Sequence, residues 1–225
     1  MNIRLPITFF LGVLASCQIL PAAVIVSTFT NTPPGYTGDS YQISFTSFTF
    51  VQSVQWAMGF TIPSGADYHF TGFEVPLAFP QGATTVNFTI ASAGSAGAPG
   101  AALETLSISG SSSVTAVYTG SSILEPILLG GQAYWLEAAI SSSDPNTAAT
   151  WNAAAGILSG MSQGPVGSRN VAFPPLGHDW SVTTGTQAAF EIDGIALPEP
   201  ATGSTFAVLG LLAHVARLFR LRTRS

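Results

Sequence analysis

The sequence predicts an all-β domain, an antiparallel β-sandwich of jelly-roll type, with an N-terminal signal peptide before it and a single C-terminal transmembrane helix after it. Three observations predict it. Short runs in which apolar and polar residues alternate recur through the middle of the chain, glycine and proline punctuate those runs, and no apolar pattern of helical period occurs before Pro198. A period of two sends successive side chains to opposite faces of a strand, so one set is expected inside and the other in water.

Residues 1–23 read as a secretory signal peptide. Arg4 precedes an apolar run from Leu5 to Leu20, broken by Pro6, Thr8, Ser16 and Gln18, and the small residues Ala22 and Ala23 follow it. Cleavage is expected near Ala22 or Ala23. Leu14-Ala15-Ser16-Cys17 also fits a lipoprotein box with Cys17 acylated, but Ile19 to Val26 is apolar and is not the polar tether that such a lipid anchor uses. Cys17 is the only cysteine. Once the leader is removed the domain has neither a disulfide nor a cysteine metal site, and its stability has to come from its core.

Residues 24–196 form the predicted sandwich, about 170 residues and enough to bury close to 70% of the unfolded surface. Ile43 and Phe45, then Phe48 and Phe50, alternate with Ser and Thr. Val86, Phe88 and Ile90 alternate with Asn87 and Thr89, and Leu106 and Ile108 repeat the pattern. Tyr134, Leu136, Ala138 and Ile140 put Trp135 and Glu137 on the opposite face, and Phe190 and Ile192 mark a closing strand. Turns are expected at Thr32 to Gly35, Ile62 to Asp67, Gly94 to Gly100, Ser109 to Ser113, Gly130-Gly131 and Ser141 to Asn146. The spacing of about 8 to 15 residues between strands suits an antiparallel sandwich. Ala153 to Ser168 carries no pattern and reads as a surface loop.

Charge excludes one class of partner. The chain has no lysine, and between Leu5 and Ala216 eleven acids face one base, Arg169, a formal charge of −10. Nucleic acid needs clustered Lys and Arg and is ruled out.

Catalytic chemistry finds little footing, and neither a cofactor nor a metal is expected. There is no Gly-x-Ser-x-Gly elbow, and His178-Asp179 are neighbours that point apart on a strand, so His178 is assigned a structural role. His69 reads as a half-buried strand residue. Glu74, Glu104, Glu125, Glu137, Glu191 and Asp193 are carboxylates of the type a glycosidase uses, but no spacing pairs any two. Ser141 to Asn146 offers a calcium ion one acid in six residues, and a turn explains the same letters. Aromatic rings remain. Trp56 and Trp135 are assigned to the core, whereas Trp151 and Trp180 lie nearer loops and are the candidates for stacking on sugar rings.

Residues 197–225 complete the chain with Pro198-Glu199-Pro200, an uncharged run from Ala201 to Ala216, and Arg217, Arg220, Arg222 and Arg224. Arginine beyond an apolar segment stays on the cytoplasmic side, which places everything before Pro198 outside. Sixteen residues span about 24 Å as a helix against about 30 Å of hydrocarbon. Snorkelling by Arg217 and inclusion of Leu218 and Phe219 cover the shortfall. A basic amphipathic helix lying on the membrane is the alternative.

The ordered triple resembles the PEP-CTERM sorting signal of Gram-negative bacteria. That resemblance implies recognition by the membrane protease-transpeptidase exosortase, cleavage at the Pro-Glu-Pro motif, and transfer from the inner membrane to the cell surface or the exopolysaccharide matrix. A second resemblance covers roughly Gln55 to Ile192. Gln55 to Thr61, Phe73 to Leu77, Gly97-Ala98-Pro99-Gly100, Leu128 to Trp135 and Thr150-Trp151-Asn152 are similar to choice-of-anchor bacterial ectodomains, especially type R. It implies an anchored surface domain and no enzyme. An extracellular carbohydrate-binding module or glycan-acting hydrolase is the alternative expectation.

Overall fold

The computed structural model describes residues 21–29, 36–47, 51–141, 147–154, 163–172 and 179–198. They are all-β. One 3-10 turn at Ser95–Gly97 interrupts a set of strands in which every pairing is antiparallel.

In chain order the strands are β1 (Ala23–Ser27), β2 (Tyr36–Ser47), β3 (Val51–Thr61), β4 (Tyr68–Ala78), β5 (Thr84–Ala93), β6 (Pro99–Gly110), β7 (Ala116–Ser121), β8 (Ile127–Leu128), β9 (Ala133–Ile140), β10 (Ala148–Ala154), β11 (Gln163–Ala172), β12 (Ser181–Thr186) and β13 (Glu191–Ala196). They build one curled sheet that faces itself as two layers. The first runs β12-β11-β3-β9-β5-β6. In the second, Leu77 of β4 pairs with both Trp151 and Ala116, and Phe73 with both Ile192 and Gly120. Strands β10 and β13 therefore lie end to end along one edge of β4, with β7 and β8 along the other. The layers join where Ser44 to Ser47 of β2 pair with Val51 to Val54 of β3.

Side-chain alternation drives this closure. On β5, Val86, Phe88 and Ile90 are buried between half-exposed Asn87 and Thr89, as their period of two predicts. Aromatic rings fill the space between the layers. Phe88 lies 5.1 Å from Phe73 and 5.3 Å from Trp151, and Phe60 lies 5.7 Å from Phe190, in the tilted or edge-on geometries that rings prefer. With no disulfide available, this cluster supplies the hydrophobic stabilisation.

The expected strands around Ile43, Val86, Leu106, Tyr134 and Ile192 are present, as are the turns at Ile62 to Asp67, Gly94 to Gly100 and Gly130-Gly131. The loop expected over Ala153 to Ser168 is corrected in part. Ala154 still belongs to β10, and from Gln163 onward the chain is β11, paired to β3 from Val166↔Met58 to Ala172↔Gln52. Apolar alternation is missing there because two positions are glycine. A methyl on Gly164 would lie 2.3 Å from the Gln187 side chain, and one on Gly167 would lie 3.2 Å from the Trp180 ring.

The two ends of the domain leave together. Ala23 pairs with Gly194, Ala196 pairs with Tyr68, and the Leu197 N–H donates to the Asp67 carbonyl at 2.7 Å. Residues 1–20 of the expected leader lie outside the described residues. So do Phe48, Phe50, Thr32 to Gly35 and everything from Glu199 to Ser225, including the expected transmembrane segment. Among the described residues no helix is long and apolar enough to cross a membrane.

Candidate functional site

The outer face of the first layer gathers the polar and aromatic groups best suited to a ligand. Pairing of Arg169 with Gln55, Gly167 with Ala57, Ala57 with Glu137, Glu137 with Thr89, and Thr89 with Thr105 sets these residues in neighbouring rows across β11, β3, β9, β5 and β6. Antiparallel partners share a face, so these side chains project to the same side.

Small residues make room for rings on this face. Ala57, Ala91 and Trp135 form a separate buried cluster with Trp180 packed against it, and Gly167 leaves the space that the Trp180 ring occupies. Trp180 remains half-exposed just before β12. The Arg169 guanidinium sits 4.7 Å from the centre of its ring, a cation–π contact. Arg169 Nε and Nη2 both donate to Gln55 Oε1, at 3.0 and 2.5 Å, which fixes the guanidinium plane. Burial pushes the Glu137 carboxyl above its ordinary value, and the Arg169 charge pulls it partly back.

A ladder of short polar side chains continues the face across β5 and β6. Thr85 and Ser109 hydroxyls bond at 2.7 Å, Ser107 Oγ donates to Asn87 Oδ1 at 2.8 Å, and Thr89 and Thr105 hydroxyls bond at 2.8 Å. Each hydroxyl oxygen keeps a further lone pair. A half-exposed indole with a fixed guanidinium over it, a carboxylate and a hydroxyl ladder together offer a polyol apolar area and hydrogen-bonding groups. Among the described residues of this face no nucleophile is paired with a base.

The structure separates the two stacking candidates. Trp180 stays half-exposed on this face, packed against the Ala57, Ala91 and Trp135 cluster with Arg169 over its ring. Trp151 is fully buried in β10, its indole N–H donates to the Ala189 carbonyl at 2.8 Å, and Phe88 meets its ring edge-on. The loop placement of Trp151 is therefore corrected, and with its faces covered it is removed as a stacking platform. Trp135 is buried, though in the outer cluster and not in the main core. Trp56 is partly buried, with its N–H donated to the Gln42 carbonyl at 2.9 Å.

Cross-strand pairing brings together carboxylates that sequence spacing kept apart. Glu74 lies directly opposite Glu191, and Asp193 pairs with neighbouring Gly72. Burial first, then the Glu74 charge, pushes the Asp193 carboxyl up. Glu191 rises through burial and the charges of Asp193 and Glu74, against a hydrogen bond from Ser27 that lowers it. Glu104 stands elsewhere, in the seam between β6 and β7, and Glu125 is exposed.

His69 sits half-buried on β4 with Nδ1 3.2 Å from the Glu125 carbonyl. His178 and residues 142–146 lie outside the described residues, and Asp179 is exposed. Of the residues expected to form a sorting signal and cytoplasmic stop, Pro198 is exposed, whereas Glu199, Pro200, Arg217, Arg220, Arg222 and Arg224 lie outside the described residues. Among the described residues no group of three His, Cys, Asp or Glu side chains is placed to hold a metal.

Sequence reasoning singled out Trp180 but not Arg169, Gln55 or Glu137 as its companions. The available signal was Arg169 as the lone arginine or lysine between Leu5 and Ala216, together with the outward phase of Trp135 and Glu137. In comparisons with known proteins, the chain matches no family model and no curated protein.

Proposed function

We propose that this chain is a non-enzymatic exported protein of a Gram-negative bacterium: a jelly-roll β-sandwich delivered through the secretory route and held at the inner membrane by residues 197–225. Exosortase then recognises Pro198-Glu199-Pro200 and passes the domain to the cell surface or the exopolysaccharide matrix. The observation that carries the reading is the order of Pro-Glu-Pro, uncharged run and arginine cluster. The common exit of the two chain ends, through Ala23↔Gly194 and Ala196↔Tyr68, supports it, because the sandwich can fold with both ends still held at one membrane face.

Replacing Pro198 and Pro200 by Ala in the full chain tests it. Unprocessed protein should accumulate in the inner membrane, and unchanged processing would overturn the sorting role. A reporter fused after Ser225 should be active in the cytoplasm, and periplasmic activity would reverse the topology.

The Trp180 face favours a second reading, an extracellular carbohydrate-binding module. Retention on a glycan array without product release would establish it, whereas release of product would make the protein a hydrolase.

A further inference from the structure

Large aliphatic side chains gather in the water at one place on the domain. Ile123 and Leu124 are 85% and 69% exposed, and Ile127 and Leu129 are 49% and 48% exposed. Single exposed apolar residues are ordinary surface, but four within one short connection form a patch. The turn that carries the first two is held firmly. The Glu104 carboxylate accepts the Ile123 N–H at 2.7 Å, the Leu124 N–H at 3.0 Å and the Ser122 hydroxyl at 2.5 Å, while Ser122 Oγ accepts the Glu125 N–H at 2.9 Å. Two aliphatic side chains are thus displayed on a braced turn.

The patch lies beside the exit of the chain. Tyr68 pairs with both Ala196 and Leu128, and His69 with both Ile195 and Ile127. Two strand spacings, about 10 Å, therefore separate Ile127 from Ile195. The Leu197 N–H is tied to the Asp67 carbonyl, and the uncharged run starts at Ala201. Four residues reach at most about 14 Å when fully extended.

We propose that Ile123, Leu124 and Leu129 dip into the interfacial layer of the bilayer that holds the C-terminal run, a second, non-covalent contact that sets the orientation of the domain. The inference rests on the anchored reading above, because the short tether is what brings this pole to the lipid. Charge decides the kind of contact. Asp67 and Glu125 lie at this pole beside His69, and Arg169, the only arginine or lysine among the described residues, lies on the outer face of the other layer. No described arginine or lysine is there to draw in anionic headgroups, so the contact is apolar. Salt should leave it unchanged, and zwitterionic lipid should suffice.

The test uses the full chain in a Cys17→Ser background, reconstituted into phosphatidylcholine vesicles containing nitroxide-labelled lipid. An environment-sensitive fluorophore is placed at Leu124→Cys, Leu129→Cys or Ser107→Cys. Co-flotation with vesicles reports the anchor, and quenching reports the patch. Loss of fluorescence at 124 and 129 with none at 107, unaltered by salt, is expected, and Ile123→Ser with Leu124→Ser should abolish quenching at 129 while flotation persists. A chain that floats with bright probes at 124 and 129 overturns the contact and spares the anchor. One that does not float overturns the anchored reading and the contact with it. Probes that quench one another between copies, independent of nitroxide lipid, overturn the proposal in favour of a homotypic interface.

Discussion

The Glu104 carboxylate on β6 accepts the backbone N–H of Ile123 at 2.7 Å, across a seam where β6 pairs with β5, β7 pairs with β4, and no described ladder joins β6 to β7. A side chain thus closes the curled sheet where backbone pairing does not. Glu104→Ala should strand two N–H donors and the Ser122 hydroxyl, costing about 2–4 kcal/mol in denaturant unfolding. Glu104→Gln keeps the Oε1 acceptor and should cost about half as much. Equal stability of the alanine variant would mean that the clasp is ornamental.

Carboxylates in this domain pull the pH profile in two directions. Burial and like charge raise Glu191 and Asp193, and burial raises Glu137. Above the ordinary carboxylate range the folded chain then holds more protons than the unfolded one, so stability falls as pH rises through the raised values. Glu104 is opposite. Burial pushes it up, but the hydrogen bonds from Ser122, Ile123 and Leu124 outweigh that and hold it low, so its contribution is lost as pH falls below the ordinary range. The melting temperature should peak near pH 4 to 5, about the ordinary carboxylate value. Glu191→Gln with Asp193→Asn should flatten the neutral side of that peak, and a profile still rising towards pH 8 would contradict the assignment.

Two tryptophans should part company on truncation. Trp151→Ala empties a fully buried site and should cost about 3–5 kcal/mol. Trp180→Ala should cost under about 1.5 kcal/mol, since it forfeits a half-exposed ring and one cation–π contact. If the glycan reading holds, only the Trp180 variant should lose retention while keeping its fold by circular dichroism.

Backbone proximity makes Gly72 sensitive. A methyl there would lie 2.5 Å from the Gly120 carbonyl oxygen on the neighbouring strand, a rigid neighbour that cannot rotate away. Gly72→Ala should cost about 1–3 kcal/mol in thermal unfolding. Gly65→Ala, in open space at φ 113°, tests the different penalty of a left-handed backbone.

What the sequence determined by itself was local: strands with a clean period of two, such as Val86 to Ile90 and Tyr134 to Ile140, and turns where glycine supplies a positive φ, as at Gly131. Such patterns are legible because each residue answers only to which side of its own strand it occupies. Strand β11 was not legible, since Gly164 and Gly167 are small on account of Gln187 and Trp180, which arrive from later in the chain. Tertiary pairing alone decided that Trp151 is core, that Arg169 stands over Trp180 beside Gln55, that Glu74 faces Glu191, and that Glu104 clasps the Ile123 turn. These are meetings between residues remote in sequence, and register and layer stacking create them; composition and spacing carry no record of which strand will lie beside which.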